Sequence, residues 1–313
     1  MAEKDRVSLR LARDPHVHAE VEAVGETLLR LYDHMIAWTV VDRTDDDRQG
    51  QQLALAYYFG KIQRTTRLAL TGILAGQGRE AMPLLREQFE YTLRFEYYKY
   101  FPHEALLFAL TQARLKVGFA KEIMVFDPIA AADPKRIEQL RALETQYTEI
   151  LQHHPDLMRP TKRSEKGTTK KMVPWSEPSA ETLCNVLMER WLTERSKEDG
   201  SIVTAEKVRR YAARMYFYRG TAQSQAKHGT AFNISEGLEF DRLGNLNPVE
   251  SQVDDPNGLA WLLLQNALPL LKVYAELVLG RRGTCFEAQL IELADASEAL
   301  RLALQIPLEP PWP

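Results

Sequence analysis

The chain has 313 residues, of which 45% are hydrophobic and 27% are charged. This is the composition of an ordinary globular protein with enough apolar residues for a sizeable core. The formal net charge is −3, from 40 basic and 43 acidic residues. Such a balance argues against a wholly basic nucleic-acid-binding domain but leaves room for a local basic groove.

Helical periodicity dominates and predicts an all-α fold, a bundle of long helices with one small β-hairpin. The predicted helices cover residues 18–41, 51–76, 79–101, 103–126, 133–154, 179–196, 204–229, 257–280 and 284–305. The strand-like stretch 232–250 contains a turn with Gly244 at a positive-φ position. The predicted domains are an N-terminal helix and linker at 1–50, a helical domain at 51–306 with a basic loop insertion at 155–178, and an extended tail at 307–313.

The inserted loop is rich in Pro, Lys, Arg, Ser and Thr, and the helical pattern fails there. It holds the strongest basic run in the chain, formed by Lys162, Arg163, Lys166, Lys170 and Lys171. A solvated linker is one interpretation of this run. The other is a flexible arm that touches an anionic partner.

Cysteine usage and the N-terminus bear on location and cofactors. Cys184 and Cys285 are far apart in the sequence and lie in no Cys/His cluster, so we expect no metal or other cofactor and a reducing, cytoplasmic compartment. The charged N-terminus has no apolar signal core. The most apolar run, 258–280, is interrupted by polar residues, which favours a core helix over a membrane span.

The helix at 79–101 has an arginine on its apolar face. At about 100° per residue, Arg86 falls inside the arc marked by Leu85, Phe89 and their neighbours, and Glu90 lies at its edge. A buried guanidinium must be paired, and Glu90 is the predicted partner. Either this ion pair fixes the register of the helix, or Arg86 binds an anion while Glu90 orients it. Tyr97, on the same face, is a candidate binding residue.

A second polar stripe lies in the helix predicted at 204–229. One face carries Arg214, Thr221, Ser224 and His228, and Gly229 ends the helix. His228 is a candidate general acid or base near neutral pH, with Arg214 as its cationic neighbour and Ser224 and Thr221 as binding groups. The alternative is that His228 caps or packs the helix end and that Ser224 bonds back to the helix.

The two stripes together suit metal-free RNA cleavage, in which the 2′-hydroxyl of the RNA attacks its own phosphate. Histidine would move the proton and arginine would stabilise the developing charge. No HExxH motif or acidic cluster at metal-ligand spacing is found in the sequence, which disfavours a metal mechanism.

The segments "ALTGILAGQGREAMPLLREQFEY" and "YRGTAQSQAKHG", followed by "GLEFDRLGNLNP", carry a resemblance over residues 50–280. They resemble a bacterial family of helical proteins catalogued only as a domain of unknown function. That family is distantly similar to the HEPN group of helical bundles, many of which are dimeric RNases in toxin–antitoxin and phage-defence systems. The spacing of Arg219 and His228 departs from the HEPN motif, so the resemblance implies the fold more strongly than the activity.

Three functions follow as hypotheses. The first is a HEPN-like protein that acts on RNA or a nucleotide in defence or stress, with His228 as acid or base, Arg86 or Arg214 as charge stabiliser and Glu90 as orienter. The second is a non-catalytic scaffold that works through a partner protein, with the same residues as a structural network. The third is a binding module for a small anion around Arg86. The resemblance also implies a homodimer.

Overall fold

The computed structural model describes residues 14–40, 46–160, 172–216, 238–240, 246–248 and 256–304. Its helices are α1 (Ala19–Ala37), α2 (Asp47–Leu74), α3 (Gly78–Tyr100), α4 (Pro102–Phe126), α5 (Pro128–Ala132), α6 (Pro134–His153), α7 (Ala180–Asp199), α8 (Ala205–Tyr216), α9 (Pro256–Tyr274) and α10 (Glu287–Ala303). A π-helical turn, Ala275–Leu279, and a 3-10 segment, Gly280–Phe286, connect α9 to α10. The predicted all-α class is confirmed.

Two short antiparallel strand pairs accompany the helices. Strands β3 (Leu238–Phe240) and β4 (Leu246–Pro248) form the hairpin that the sequence predicts within 232–250. The turn residue Gly244 lies outside the described residues. A second pair, β1 (Met158–Pro160) and β2 (Met172–Pro174), was not predicted. It encloses the middle of the basic loop, whose five lysine and arginine residues are outside the described ranges.

Local side-chain bonds fix several helix starts. The carboxylate of Asp46 accepts a hydrogen bond from the backbone N–H of Gln49 at 2.9 Å, so α2 begins inside the predicted acidic linker. Asp133 accepts from the backbone N–H of Lys135 at 2.9 Å, with Pro134 in the first turn of α6. Polar capping residues therefore set boundaries that hydrophobic periodicity leaves open.

By its internal contacts the chain forms two compact units, and α2 and α3 each contribute to both. The first unit comprises residues 1–40, 56–96 and 180–313, and the second comprises 41–55 and 97–179. In the core of the first unit the rings of Tyr32, Phe59 and Tyr274 stack in series, with centroid distances of 4.1 and 3.7 Å. The Tyr32 hydroxyl donates to the carbonyl of Ala267 at 2.9 Å, and burial raises its pKa well above the ordinary value.

The second unit is built around the first half of α4. Leu106 and Leu107 are buried there, and the Trp175 indole, 2% exposed, donates to Glu104 at 2.9 Å. Gly50 allows α2 to approach α4 closely, since a Cβ at this position would lie 2.5 Å from the Leu106 Cα. The absence of a side chain at Gly50 thus sets the spacing of α2 and α4.

One helical stretch within the described ranges, Pro256–Ala303, is long and apolar enough to cross a membrane, judged by length and composition alone. In its most apolar window 56% is buried inside the protein. Core helices of soluble proteins pass the same criterion, so the stretch is only a weak indication of a span.

Candidate functional site

The candidate site lies in the first unit, on the buried face of α3. Leu85 and Phe89 are 0% and 2% exposed, and Arg86 between them is 7% exposed. The helical period thus places a guanidinium among core side chains, where its desolvation must be offset by hydrogen bonds and an opposite charge.

Glu90 supplies that charge. The Nε of Arg86 donates to Oε1 of Glu90 at 2.7 Å, and the Arg94 Nη1 lies 3.6 Å from the other carboxylate oxygen. The same Arg94 nitrogen donates to the Glu90 carbonyl at 3.1 Å. One carboxylate therefore serves two guanidinium groups on successive turns, and these three residues keep one net positive charge.

The far side of the Arg86 guanidinium has a different environment. Its Nη1 is buried and has no hydrogen-bond acceptor. The Arg86 Cζ lies 5.2 Å from the ring centroid of Tyr216, the last residue of α8. An aromatic face gives partial electrostatic compensation but does not replace the missing acceptor.

A thiol from α7 completes the surroundings. Cys184 is fully buried, and burial raises its pKa to about 12, an effect that Arg86 opposes and Glu181 reinforces. The sulfur is therefore protonated at neutral pH and is a poor nucleophile. We assign it a packing role beside Arg86.

A buried amide network holds the same stretch of α3. The Gln88 side chain, 0% exposed, donates to the Thr66 hydroxyl and to the Leu263 carbonyl, both at 2.9 Å. It accepts from the Asn266 amide at 3.1 Å. Four polar groups thus fix α3 against α2 and α9, and they restrict movement of the neighbouring Arg86.

The structure brings together only part of the residues predicted as a site. Arg86 and Glu90 are paired. Tyr97 belongs to the second unit, where its ring packs 4.6 Å from that of Phe101. Burial chiefly raises the pKa of Tyr97, to about 12. Arg214 lies in α8, but its side chain is not described.

Thr221, Ser224 and His228 lie outside the described residues. Their roles as binding groups and as acid or base stay predictions.

Sequence reasoning missed three neighbours of Arg86. Arg94 follows Glu90 by four residues, so the spacing Arg-x3-Glu-x3-Arg was a usable signal for the shared carboxylate. Tyr216 and Cys184 come from helices about a hundred residues further along the chain, and no local pattern indicates them.

A second polar cluster lies in the second unit. His103 stands between two carboxylates, with Nδ1 3.2 Å from Asp47 and Nε2 3.1 Å from Asp156. Its partial burial lowers the pKa, but the hydrogen bonds to the two aspartates outweigh that effect and raise it overall. About half of its side chain is exposed, and we interpret the cluster as a clasp that joins the start of α2, the start of α4 and the turn after α6.

Comparison with known proteins adds no relative: the chain matches no family model, no curated protein and no solved structure. Within the described ranges, no group of three or more His, Cys, Asp or Glu side chains is arranged to hold a metal ion.

Proposed function

We propose that the first unit binds a phosphate group of RNA or of a nucleotide, with Arg86 as the principal anion-binding residue. The observation that carries the proposal is the buried Arg86 Nη1, which lacks an acceptor although its Nε is held by Glu90 at 2.7 Å. A phosphate oxygen would supply the missing acceptor in a charge-assisted hydrogen bond.

The charge balance favours an anion over a neutral ligand. The Arg86 guanidinium carries a full positive charge in a residue that is 7% exposed, and its bond to Glu90 is made through Nε. In a poorly hydrated site this charge attracts an anion more strongly than it would in water. Arginine also suits phosphate because its planar fork can donate two parallel hydrogen bonds.

Access to Arg86 requires movement of Tyr216. Its ring lies over the guanidinium, and only part of the Tyr216 side chain is buried. A partly buried ring can change rotamer at lower cost than one enclosed in the core. We therefore assign Tyr216 to the position where the ligand enters.

For an RNA ligand, the proposal extends to metal-independent cleavage, in line with the HEPN-like resemblance. His228 would take the proton of the 2′-hydroxyl as that oxygen attacks the phosphorus, and a second, protonated group would donate a proton to the 5′-oxygen as its bond to phosphorus breaks. Arg86 or Arg214 would stabilise the extra negative charge, and Glu90 would hold Arg86 in orientation. Ser224 and Thr221 would contact the substrate.

Fluorescence anisotropy with a labelled single-stranded RNA tests the binding step. We expect Arg86→Gln to weaken binding by roughly tenfold or more, the equivalent of one lost charge-assisted hydrogen bond. The matched control is Arg195→Gln, which removes the same charge from an exposed position in the same unit. Equal RNA affinities of Arg86→Gln and Arg195→Gln would show that Arg86 does not bind the RNA.

Cleavage is tested separately, with EDTA present and folding checked by circular dichroism. Cleavage that persists in EDTA and is lost in folded His228→Ala would support the RNase proposal. Binding without cleavage would restrict the function to RNA or nucleotide binding.

A scaffold role is the second candidate, and one observation favours it. Glu90 is engaged by Arg86 and Arg94, and Arg86 lies against Tyr216, so most of the cluster is satisfied within the protein. In that case the network fixes the packing of α3 and α8, and the protein works through a partner. Unchanged RNA affinity together with lower stability of Arg86→Gln would favour this reading.

A further inference from the structure

The second unit carries a groove between α4 and α6, with a volume of about 260 Å³. The two helices run antiparallel, because His103 near the start of α4 lies 3.1 Å from Asp156, just after the end of α6. The residues that line the groove come from the distal half of α4, residues 116–124, and from the first half of α6, residues 136–143. One antiparallel helix pair therefore supplies both walls of the groove.

Most of the lining is apolar and open to solvent. Ile123 on α4 and Leu140 and Leu143 on α6 line the groove, and each is only partly buried. Phe119 lines it as well and is 66% exposed. Helix α6 has no buried residue, so α4 covers only one side of it. The two helices thus leave a continuous apolar surface where a further helix can pack, a larger exposure than isolated apolar residues on a protein surface.

The exposed apolar surface extends along α4 on both sides of Phe119. Leu115 and Phe126 are 54% and 83% exposed, and at about 100° per residue they fall within roughly 40° of Phe119. From Leu115 to Phe126 the helix rises by about 16 Å, or three turns. A surface of this length matches a helix better than it matches a small molecule.

The two charged residues that line the groove are both basic. Lys116 and Arg136 are exposed, and neither side chain has an ion-pair or hydrogen-bond partner in the described part of the chain. The neighbouring Lys121 differs, because Glu144 neutralises it at 2.7 Å. The groove therefore presents uncompensated positive charge to its occupant, which favours an anionic one.

The two cations belong to opposite ends of the groove. Lys116 is the first residue of α4 that lines it, and Met124 is the last, about 12 Å further along the helix. Because the helices are antiparallel, Arg136, the first lining residue of α6, lies toward the Met124 end. An occupant thus meets one cation, then apolar side chains, then a second cation.

We infer that this groove binds an acidic amphipathic helix of a partner protein. Two carboxylates seven residues apart on one helix face are separated by about 10 Å, which suits Lys116 and Arg136, and apolar residues between them cover the lining. A fatty acid has a single carboxylate and would engage only one of the two cations. RNA would leave the apolar lining unused. The groove lies in the second unit and does not depend on the proposed phosphate site.

Fluorescence anisotropy of the full chain with two designed peptides tests this inference. The first is a fluorescein-labelled helical peptide with two glutamates seven positions apart, leucines on the same face, and alanine and glutamine elsewhere. The second peptide has glutamine in place of both glutamates. We expect saturable binding of the glutamate peptide, roughly tenfold tighter than that of the glutamine peptide, because each carboxylate gains a charge-assisted contact.

Variants of the protein assign the binding to the groove, with folding checked by circular dichroism. Lys116→Glu and Arg136→Glu should each weaken binding of the glutamate peptide by roughly tenfold. The control Lys135→Glu makes the same charge change at an exposed residue that does not line the groove, and it should weaken binding by less than about threefold. Phe119→Ser should weaken both peptides by roughly tenfold. Val125→Ser, at a position that is 75% exposed and outside the lining, is its control and should leave both affinities unchanged.

Several results would overturn the inference. Equal affinities of the two peptides, or no saturable binding of the glutamate peptide, would remove the acidic helix as the occupant. Displacement of the glutamate peptide by monomeric dodecanoate would assign the groove to a fatty acid. Displacement by single-stranded RNA in the Arg86→Gln variant would assign it to nucleic acid. A dimer of the chain that Phe119→Ser dissociates, measured by light scattering, would assign it to a second copy.

Discussion

The Nε atom of Arg86 lies 2.7 Å from Oε1 of Glu90, four residues later on the same helix. On a helix surface the opposite order, acid before base, is the more stabilising one. The Glu90–Arg94 contact has that order at 3.6 Å, but only the Arg86–Glu90 pair is short and deeply placed. Burial of Arg86, and not helix propensity, therefore accounts for the pair.

Removal of the Glu90 charge should destabilise the protein. In Glu90→Gln the buried guanidinium keeps a hydrogen-bond acceptor but loses its counter-ion, which should lower the free energy of unfolding by about 1–3 kcal/mol. Urea denaturation followed by circular dichroism measures the change. Glu189→Gln, at an exposed position on α7 in the same unit, is the control and should stay within about 0.5 kcal/mol of wild type. Equal stability of both variants would show that Glu90 does not compensate Arg86.

The Gln88 network predicts a non-additive pair of substitutions. Gln88→Leu should lower the free energy of unfolding by about 1–3 kcal/mol, because it removes buried hydrogen bonds with the Asn266 amide and the Thr66 hydroxyl. Asn266→Leu should cost less in the Gln88→Leu background than in wild type, since its bond to Gln88 is already lost there. Strictly additive losses in urea denaturation would argue against a connected network.

Two glycines give a matched pair with opposite outcomes. Gly50→Ala should destabilise the protein by about 1–3 kcal/mol, because its Cβ would lie 2.5 Å from the Leu106 Cα and one helix must shift. Gly118→Ala should stabilise it by about 0.5–1 kcal/mol, because nothing lies within 4 Å of the added Cβ and alanine is the better helix former. Thermal unfolding of the two variants measures both effects, and the same sign for both would contradict the packing of α2 on α4.

His103 predicts a pH-dependent contribution to stability. Its pKa in the folded protein is raised above the ordinary value of about 6.5, because the hydrogen bonds to Asp47 and Asp156 outweigh the effect of partial burial. A raised pKa means that the folded state binds the proton more tightly than the unfolded state does. The stabilisation is therefore complete below the unfolded pKa and is lost as the pH rises through the folded pKa.

The free energy of unfolding of wild type and of His103→Gln should be measured by denaturation from below pH ~6.5 to well above it. The difference between the two proteins should be larger at low pH and should shrink toward high pH. A difference that does not change with pH, or that grows toward high pH, would contradict the clasp.

Local sequence patterns predict those parts of the molecule that depend on neighbours a few residues apart. The apolar period of α3 places Arg86 in the core and Glu90 beside it, because a partner four residues away is fixed by the helix itself. The cap at Asp46 was also within reach, but its Asp neighbours resemble a solvated linker and obscure the signal.

Other features depend on tertiary contacts and leave no trace in a window of sequence. The contact of Arg86 with Tyr216 joins two helices that are far apart in the chain, so it arises only once the first unit has folded. The pairing of Met158–Pro160 with Met172–Pro174 likewise lies in a stretch whose composition is that of a loop. The missing acceptor on Arg86 is the most informative feature of the site, and only a three-dimensional accounting of hydrogen bonds finds it.

The side-chain Nε–Hε resonance of Arg86 gives the most direct test of phosphate binding. Its resonance can be assigned by its absence in Arg86→Lys, and adenosine monophosphate can then be titrated into wild-type protein. We predict a saturable shift of the Arg86 resonance, with much smaller shifts for exposed arginines such as Arg195, because Arg86 is the one arginine in the described part of the chain with a buried nitrogen that lacks an acceptor. An Arg86 resonance that stays unchanged at saturating nucleotide, or that moves no more than that of Arg195, would contradict the central claim that this guanidinium is an anion-binding site.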